Sequence, residues 1–271
     1  MALPIPAVRI RKLLQEVEVS GRGSHVLAVG GASELAPVLR QQFLRGADPA
    51  AVRIGDPEGA DVYVHVLVGE PSDADEATLR RAWRARVPVI AVAAGETGDV
   101  AIPYVFATDV VGVAPGRGFP VEAISHAIAV RLGEYGAPLA ARVPLLREAV
   151  SEHLVSSLAW RNGLVAAAVW IRGADFPALA LNELRLVLRL AQAHGEDDGG
   201  RERLPDLAFA VGAAFGLRAV ARELLEFAPT PGWVVRGVIG YAGTRALGEA
   251  ARRRFGPAPT PQRAAAARGA P

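Results

Sequence analysis

Two glycine-bearing stretches hold the residues whose types and spacing could do chemistry. The first, Gly30-Gly31-Ala32-Ser33-Glu34-Leu35-Ala36, follows an apolar run and precedes a helical pattern. In an α/β protein that turn is the natural phosphate cradle, because backbone amides and a helix N-terminus converge there. A P-loop needs GxxxxGK[ST], with glycine amides around the phosphates, a Lys on their oxygens and a hydroxyl on Mg²⁺. Here the Lys is absent, no second Gly falls at the right place, and Glu34 would repel phosphate. The dinucleotide pattern GxGxxG is not met either. A plain tight turn accounts for the residues.

The second stretch, Asp56-Pro57-Glu58-Gly59, has the DxxG form with which a GTPase senses Mg²⁺ and the γ-phosphate. Two fixed residues in four equally describe a simple turn, but the stretch lies before the Asp61 strand, where a GTPase would carry it. The guanine-reading NKxD should follow the Val87 strand. The chain there reads Ala93-Ala94-Gly95-Glu96-Thr97-Gly98-Asp99, with neither Asn nor Lys. Ala107-Thr108 could occupy the loop that packs on guanine. Gly30, Gly31, Asp56 and Gly59 are therefore vestigial nucleotide-site candidates, and no bound cofactor is expected.

Other catalytic constellations are missing. His25, His65, His126, His153 and His194 show no HxxxH or HExxH spacing, so no metal site is expected. His65 alternates within a strand and reads as packed rather than ligating. Glu152, His153 and Ser157 share a helix face without an oxyanion loop, and no GxSxG elbow occurs. Glu196-Asp197-Asp198 sits in a Gly-flanked loop and reads as a solvated linker. No residue is assigned a catalytic role.

These stretches need elements to position them. Residues from about Ile5 to Val19 predict a short amphipathic helix. Strands are predicted at Ser24 to Gly30, Val52 to Ile54, Asp61 to Val68, Val87 to Ala93 and Pro103 to Thr108. Between them lie helices with Leu35, Leu39 and Phe43 on one face, and with Leu79 and Trp83 as the inner face, the latter opening on a Ser72/Asp75 capping box. A further helix carries Val121, Ile124, Ile128 and Leu132 inward. Strands alternating with helices predict a doubly wound, mostly parallel sheet over residues 1–135. From about Ala141 to Ile171 the pattern is helical.

A helical bundle is then predicted to span residues 136–256, followed by a low-complexity, disordered Pro- and Ala-rich tail at 257–271. In its first post-connector helix, Asn182, Arg185, Arg189 and Gln192 recur at spacings of three and four as a polar stripe. Leu residues fill so wide an arc that more than one side must be covered. A second helix is expected from about Leu204, and a third from Thr230-Pro231. The third carries Gly237, Gly240, Thr244 and Gly248 near one face, a spacing of small residues that lets helix backbones approach closely.

Composition narrows the classes. The 271 residues include no Cys, which removes disulfides, thiolate metal sites and Cys nucleophiles. Net charge is only +2, the basic residues are almost all Arg, and they are scattered among acids, so nucleic acid is not an expected partner. The N-terminus lacks a continuous apolar signal region. The longest uncharged runs, Asn162 to Ile171 and Leu207 to Leu217, are about half the ~20 residues a membrane span needs. Arg218, Arg222 and Glu223 would each cost roughly 2.5–3.5 kcal/mol in hydrocarbon.

The C-terminal half resembles the YcjF-like, GTPase-associated bacterial family, whose helical domain is formally one of unknown function. The resemblance rests on Asn162-Gly163-Leu164, Gly173-Ala174-Asp175-Phe176-Pro177, Leu181-Asn182, Leu186-Val187-Leu188, and Gly237 to Gly243 followed by Thr244 and Ala246-Leu247-Gly248. Arg172 departs from it, since relatives often have Pro before the GAD. Relatives often carry an Era-like GTPase domain on the N-terminal side, and the N-terminal half here looks like an Era/Ras-like domain with its motifs worn away. The expectation is a non-catalytic platform, cytoplasmic and either free or membrane-associated. Its bundle would bind a protein partner, itself or a membrane surface. The alternatives are a GTP-binding or GTP-hydrolysing protein with an atypical phosphate site, and an integral membrane component.

Overall fold

The structure is a computed structural model, and it describes residues 7–95, 101–168, 176–196 and 232–256. The expected helix from Leu204, the Thr230-Pro231 helix start, the Glu96–Asp99 stretch and the 257–271 tail lie outside those residues. By contacts the chain divides into two compact units, residues 16–154 and residues 1–15 with 155–271. Helix α1 is Ala7–Gly21.

The first unit is built on five parallel strands: β1 (Leu27–Gly31), β2 (Val52–Ile54), β3 (Val62–Val68), β4 (Val89–Ala94) and β5 (Val110–Val113). Their order is β2-β1-β3-β4-β5, one of the common doubly wound orders. Registers such as Val29 opposite Val64 and Val64 opposite Ile90 align the central strands. Their β-branched runs are buried on both faces, as a parallel sheet requires.

Helix α3 (Asp73–Arg84) covers one face, where Leu79 and Ala82 meet Ala28, Tyr63, Leu67, Val89 and Ala91. Trp83, expected beside Leu79 on the inner face, is exposed instead, because Ala82 takes the inward position. Alternation turns Val29, Val64, Val66, Ile90 and Val92 to the opposite face. That face is covered by α2 (Leu35–Phe43) and α4 (Val121–Leu132), with Leu39, Phe43, Ile124 and Ile128 fully buried. The capping box forms as expected: Asp75 N–H donates to Ser72 Oγ at 3.2 Å, and Ser72 N–H donates to the Asp75 carboxylate at 3.0 Å.

One predicted strand moves. Residues 103–108 form a turn and a short 3-10 segment, and the fifth strand is Val110–Val113 instead. Pro103 has no amide to give a ladder, Val105 N–H turns back to Ile102 O, and Tyr104 takes φ +64.

After α4 the chain folds into α5 (Gly136–Arg142), a 3-10 turn at Pro144–Leu146, and then α6 (Arg147–Ala168). The predicted Ala141–Ile171 helix is thus broken at Pro144. The second unit contains the end of α6, α7 (Phe176–Ala193) and α8 (Gly232–Phe255). Gly195 at φ +81 ends α7, with Glu196 N–H donating to Ala191 O at 3.1 Å. The polar stripe of α7 is half-buried at Asn182 and Arg185 and closes toward the helix end. Arg189 and Gln192 are buried and Nη1 of Arg189 donates to Gln192 Oε1 at 2.9 Å, because the helix is covered nearly all round. No described helix is long and apolar enough to cross a membrane.

Candidate functional site

In this strand order the ligand position of a doubly wound sheet is the crevice between the carboxyl ends of β1 and β3, where the connections diverge. Gly30 and Gly31 end β1 there. Gly31 has φ +95, and a Cβ on it would overlap the Val66 backbone of β3. A Cβ on Gly30 would enter the Tyr63 hydroxyl. The turn that follows bonds three of its amides within the protein. Ala32 N–H donates to Val66 O at 2.8 Å, while Leu35 and Ala36 N–H both donate to Ala32 O, at 3.1 and 2.9 Å. Glu34 stands at the N-cap of α2 and makes no capping bond, so an exposed carboxylate occupies the end where phosphate would sit.

Asp56 and Gly59 lie in the neighbouring loop after β2, tied to β1 by Gly55 N–H donating to Val29 O at 3.0 Å. The structure therefore brings all four vestigial candidates to adjacent strand ends. Asp56 is already engaged on both oxygens. Oδ1 accepts from Glu58 N–H at 2.9 Å, and Oδ2 lies 3.2 Å from Arg81 Nη1 on α3. The Arg53 guanidinium donates to Glu58 O and closes the loop.

Sequence reasoning missed a buried, hydrogen-bonded polar cluster beside this crevice. His65, buried on β3, bridges Tyr63 and Asp75: its Nδ1 is 3.1 Å from the Tyr63 hydroxyl and its Nε2 is 2.9 Å from Asp75 Oδ1. Asp75 Oδ2 accepts from Ser72 Oγ at 2.6 Å. Burial pushes the His65 ring below 6.5, against the pull of Asp75, so the neutral ring donates from Nε2 and accepts the Tyr63 proton at Nδ1. Burial raises the Tyr63 hydroxyl to about 12, with the Asp56 charge adding to it. Burial also raises Asp75, but the Ser72 hydroxyl, the Ser72 amide and His65 outweigh it and hold the carboxyl below 3.8. The chain of bonds fastens the first turn of α3 to the middle of the sheet. A signal existed: Tyr63 and His65 share a strand face, and Asp75 is the inner acid of a capping box.

This chain makes stability pH-dependent with a definite sign. A histidine whose pKa is lower in the folded state binds its proton more readily when unfolded, so its contribution is complete above pH 6.5 and is lost as pH falls below it. His153 is shifted the same way, by burial and then by His126, and adds to the slope. Melting temperature should therefore fall steadily below about pH 6.5, and His65→Gln should remove part of that slope and leave the His153 share. At the alkaline end the unfolded Tyr63 ionises first, so stability should fall between pH 10.0 and about 12. Thermal melts across the pH range check both arms.

In the helical unit the expected small residues meet α6. A Cβ on Gly237 would lie 3.2 Å from Ala167 Cβ, one on Gly240 would lie 2.8 Å from Ala166 Cβ, and one on Gly248 would lie 2.6 Å from Val155 Cγ2. Rising numbers on α8 meet falling numbers on α6, so the two helices run antiparallel. Thr244 Oγ1 donates to Gly240 O at 2.9 Å and accepts from Asn162 Nδ2 at 2.9 Å. Asn162 Oδ1 accepts from Asn182 Nδ2 of α7 at 2.7 Å, so one fully buried amide joins three helices. The arrangement is a packing device with no reactive group in it.

Among the described residues no group of three or more His, Asp or Glu side chains could hold a metal ion. Comparison with protein-family models, with curated proteins and with solved structures finds no match.

Proposed function

We propose that the chain is a non-catalytic interaction platform: a GTPase-like α/β domain that has lost nucleotide binding, joined to a YcjF-like helical domain. The observation that carries this reading is the turn after β1, which pairs the Ala32, Leu35 and Ala36 amides within the protein and sets an exposed Glu34 at the helix start. A phosphate cradle works by aiming unpaired amides at the ligand. Here the Ala32 amide is bonded to Val66 O, and those of Leu35 and Ala36 to Ala32 O. Glu34 adds a repulsive charge, and Asp56, the residue that would sense Mg²⁺, is paired with Arg81. The ammonium group of a P-loop Lys, which contributes charge-assisted bonds to the phosphate oxygens, has no counterpart in the turn.

The platform acts in the cytoplasm through protein contacts, and its helical domain associates with a partner, another copy or a membrane surface. Isothermal calorimetry of the full chain with GTP, GDP and ATP in Mg²⁺ should give no heat of binding. Saturable micromolar binding of any of the three would overturn the reading.

A further inference from the structure

Away from the strand-end crevice, the first unit exposes three aromatic side chains together. Trp83 on α3 is 54% exposed, and Tyr104 and Phe106 in the loop before β5 are 38% and 50% exposed. The Trp83 ring lies 6.4 Å from each of the other two. Four arginines surround or follow them. Arg80 Nε donates to the Tyr104 hydroxyl at 3.1 Å, and the Arg131 guanidinium lies 4.8 Å from the Phe106 ring centre. Arg84 shares the exposed face of α3 with Arg80 at i,i+4 spacing, and Arg86 projects from the helix end at φ +58. Tyr104 itself holds φ +64, a costly conformation for a bulky side chain.

The charge is unbalanced. Glu76 neutralises Arg80 at 2.6 Å and Asp109 neutralises Arg131 at 3.4 Å, whereas Arg84 and Arg86 have no ion-pair partner among the described residues. Exposed Trp and Tyr beside Arg is the composition of interface hot spots. We propose that the Trp83–Tyr104–Phe106 cluster, with its arginine rim, docks an acidic segment of a partner protein that carries an apolar anchor. The anchor packs between the rings, and its carboxylates meet Arg84 and Arg86. Nucleic acid would use the same charges but needs open, flat ring faces on which bases stack. The rings here are tilted 46° and 53° to one another, and arginines already lie over Tyr104 and Phe106.

The proposal names the partner chemistry of the platform function and rests on that reading, yet its test is separate. A short fluorescein-labelled peptide of Glu and Asp around a central Leu-Phe pair is titrated with the full chain and followed by anisotropy. The charge-reversed Lys peptide and a labelled oligo-dT serve as comparisons. The acidic peptide should bind, Trp83→Ala should weaken it about tenfold, and the Arg84→Glu/Arg86→Glu double variant should abolish it. These side chains are exposed, so circular dichroism should show both variants folded. No binding of the acidic peptide, equal affinity for the variants, or preference for oligo-dT each overturns the proposal. Nucleotide calorimetry reads the other crevice, so a failure here leaves that result standing, and the converse holds.

Discussion

Gly31→Ala should destabilise the α/β unit by about 3 kcal/mol or more, summing a strained backbone and a displaced neighbour. Holding a non-glycine residue at positive φ costs about 1–3 kcal/mol, and Gly31 has φ +95. The added methyl would also fall on the Val66 backbone. Backbone in a central strand cannot swing aside as a side-chain tip can, so β3 must shift against β1, at a further ~1–3 kcal/mol. A domain's whole stability is about 5–15 kcal/mol, so the variant should unfold at markedly lower urea. Gly59→Ala is the comparison: its φ is +73, but nothing lies near its Cβ position, so only the backbone cost applies. Urea titrations of the two variants decide the matter. Equal midpoints would show that the close approach of β1 and β3 at this turn contributes nothing.

Gly240→Val should damage the helical unit by a similar amount, about 3 kcal/mol. Even a single carbon there would lie 2.8 Å from Ala166 Cβ and 3.0 Å from Asn162 O. The helices must separate, and separation stretches the Asn162–Thr244 bond across the same seam. Asn162 is fully buried, so an amide without its partner costs a further ~1–3 kcal/mol. Non-additivity separates the two parts. Thr244→Val alone should cost about 1–3 kcal/mol, yet add little on top of Gly240→Val, because the bond is already broken. A double-mutant cycle read by chemical denaturation measures this, and simple additivity would mean that the helices keep their spacing.

Both variants bear on the proposed function by different routes. The first alters the turn whose amides would otherwise face a phosphate. The second loosens the domain through which the platform would associate. A chain that loses the helical unit while keeping the sheet should still bind the acidic peptide, because the aromatic cluster lies wholly within residues 16–154.

Much of this architecture is local and therefore legible in the chain. The β-branched runs at Val62–Val68 and Val89–Ala94, the Ser72/Asp75 box and the inward Ile124 and Ile128 specify their elements through nearest neighbours and period alone. The small residues of α8 likewise announce a close helix crossing, since only they admit a second backbone. What tertiary structure decided is long-range pairing. Residues 103–108 have strand composition, but β4 pairs with Val110–Val113, because Pro103 and the Tyr104 turn cannot enter a ladder. Composition makes His65 a packed residue; only the fold of α3 onto β3 supplies Asp75 to one ring nitrogen and leaves Tyr63 on the other. Arg189 reads as part of a polar stripe, and the fold buries it, since periodicity records that a helix has a polar side but not what packs against it. Turn residues at Gly30 and Asp56 show which groups are missing, while the tertiary fold determines that the Ala32 amide is bonded to Val66 O and the Asp56 carboxylate is paired with Arg81.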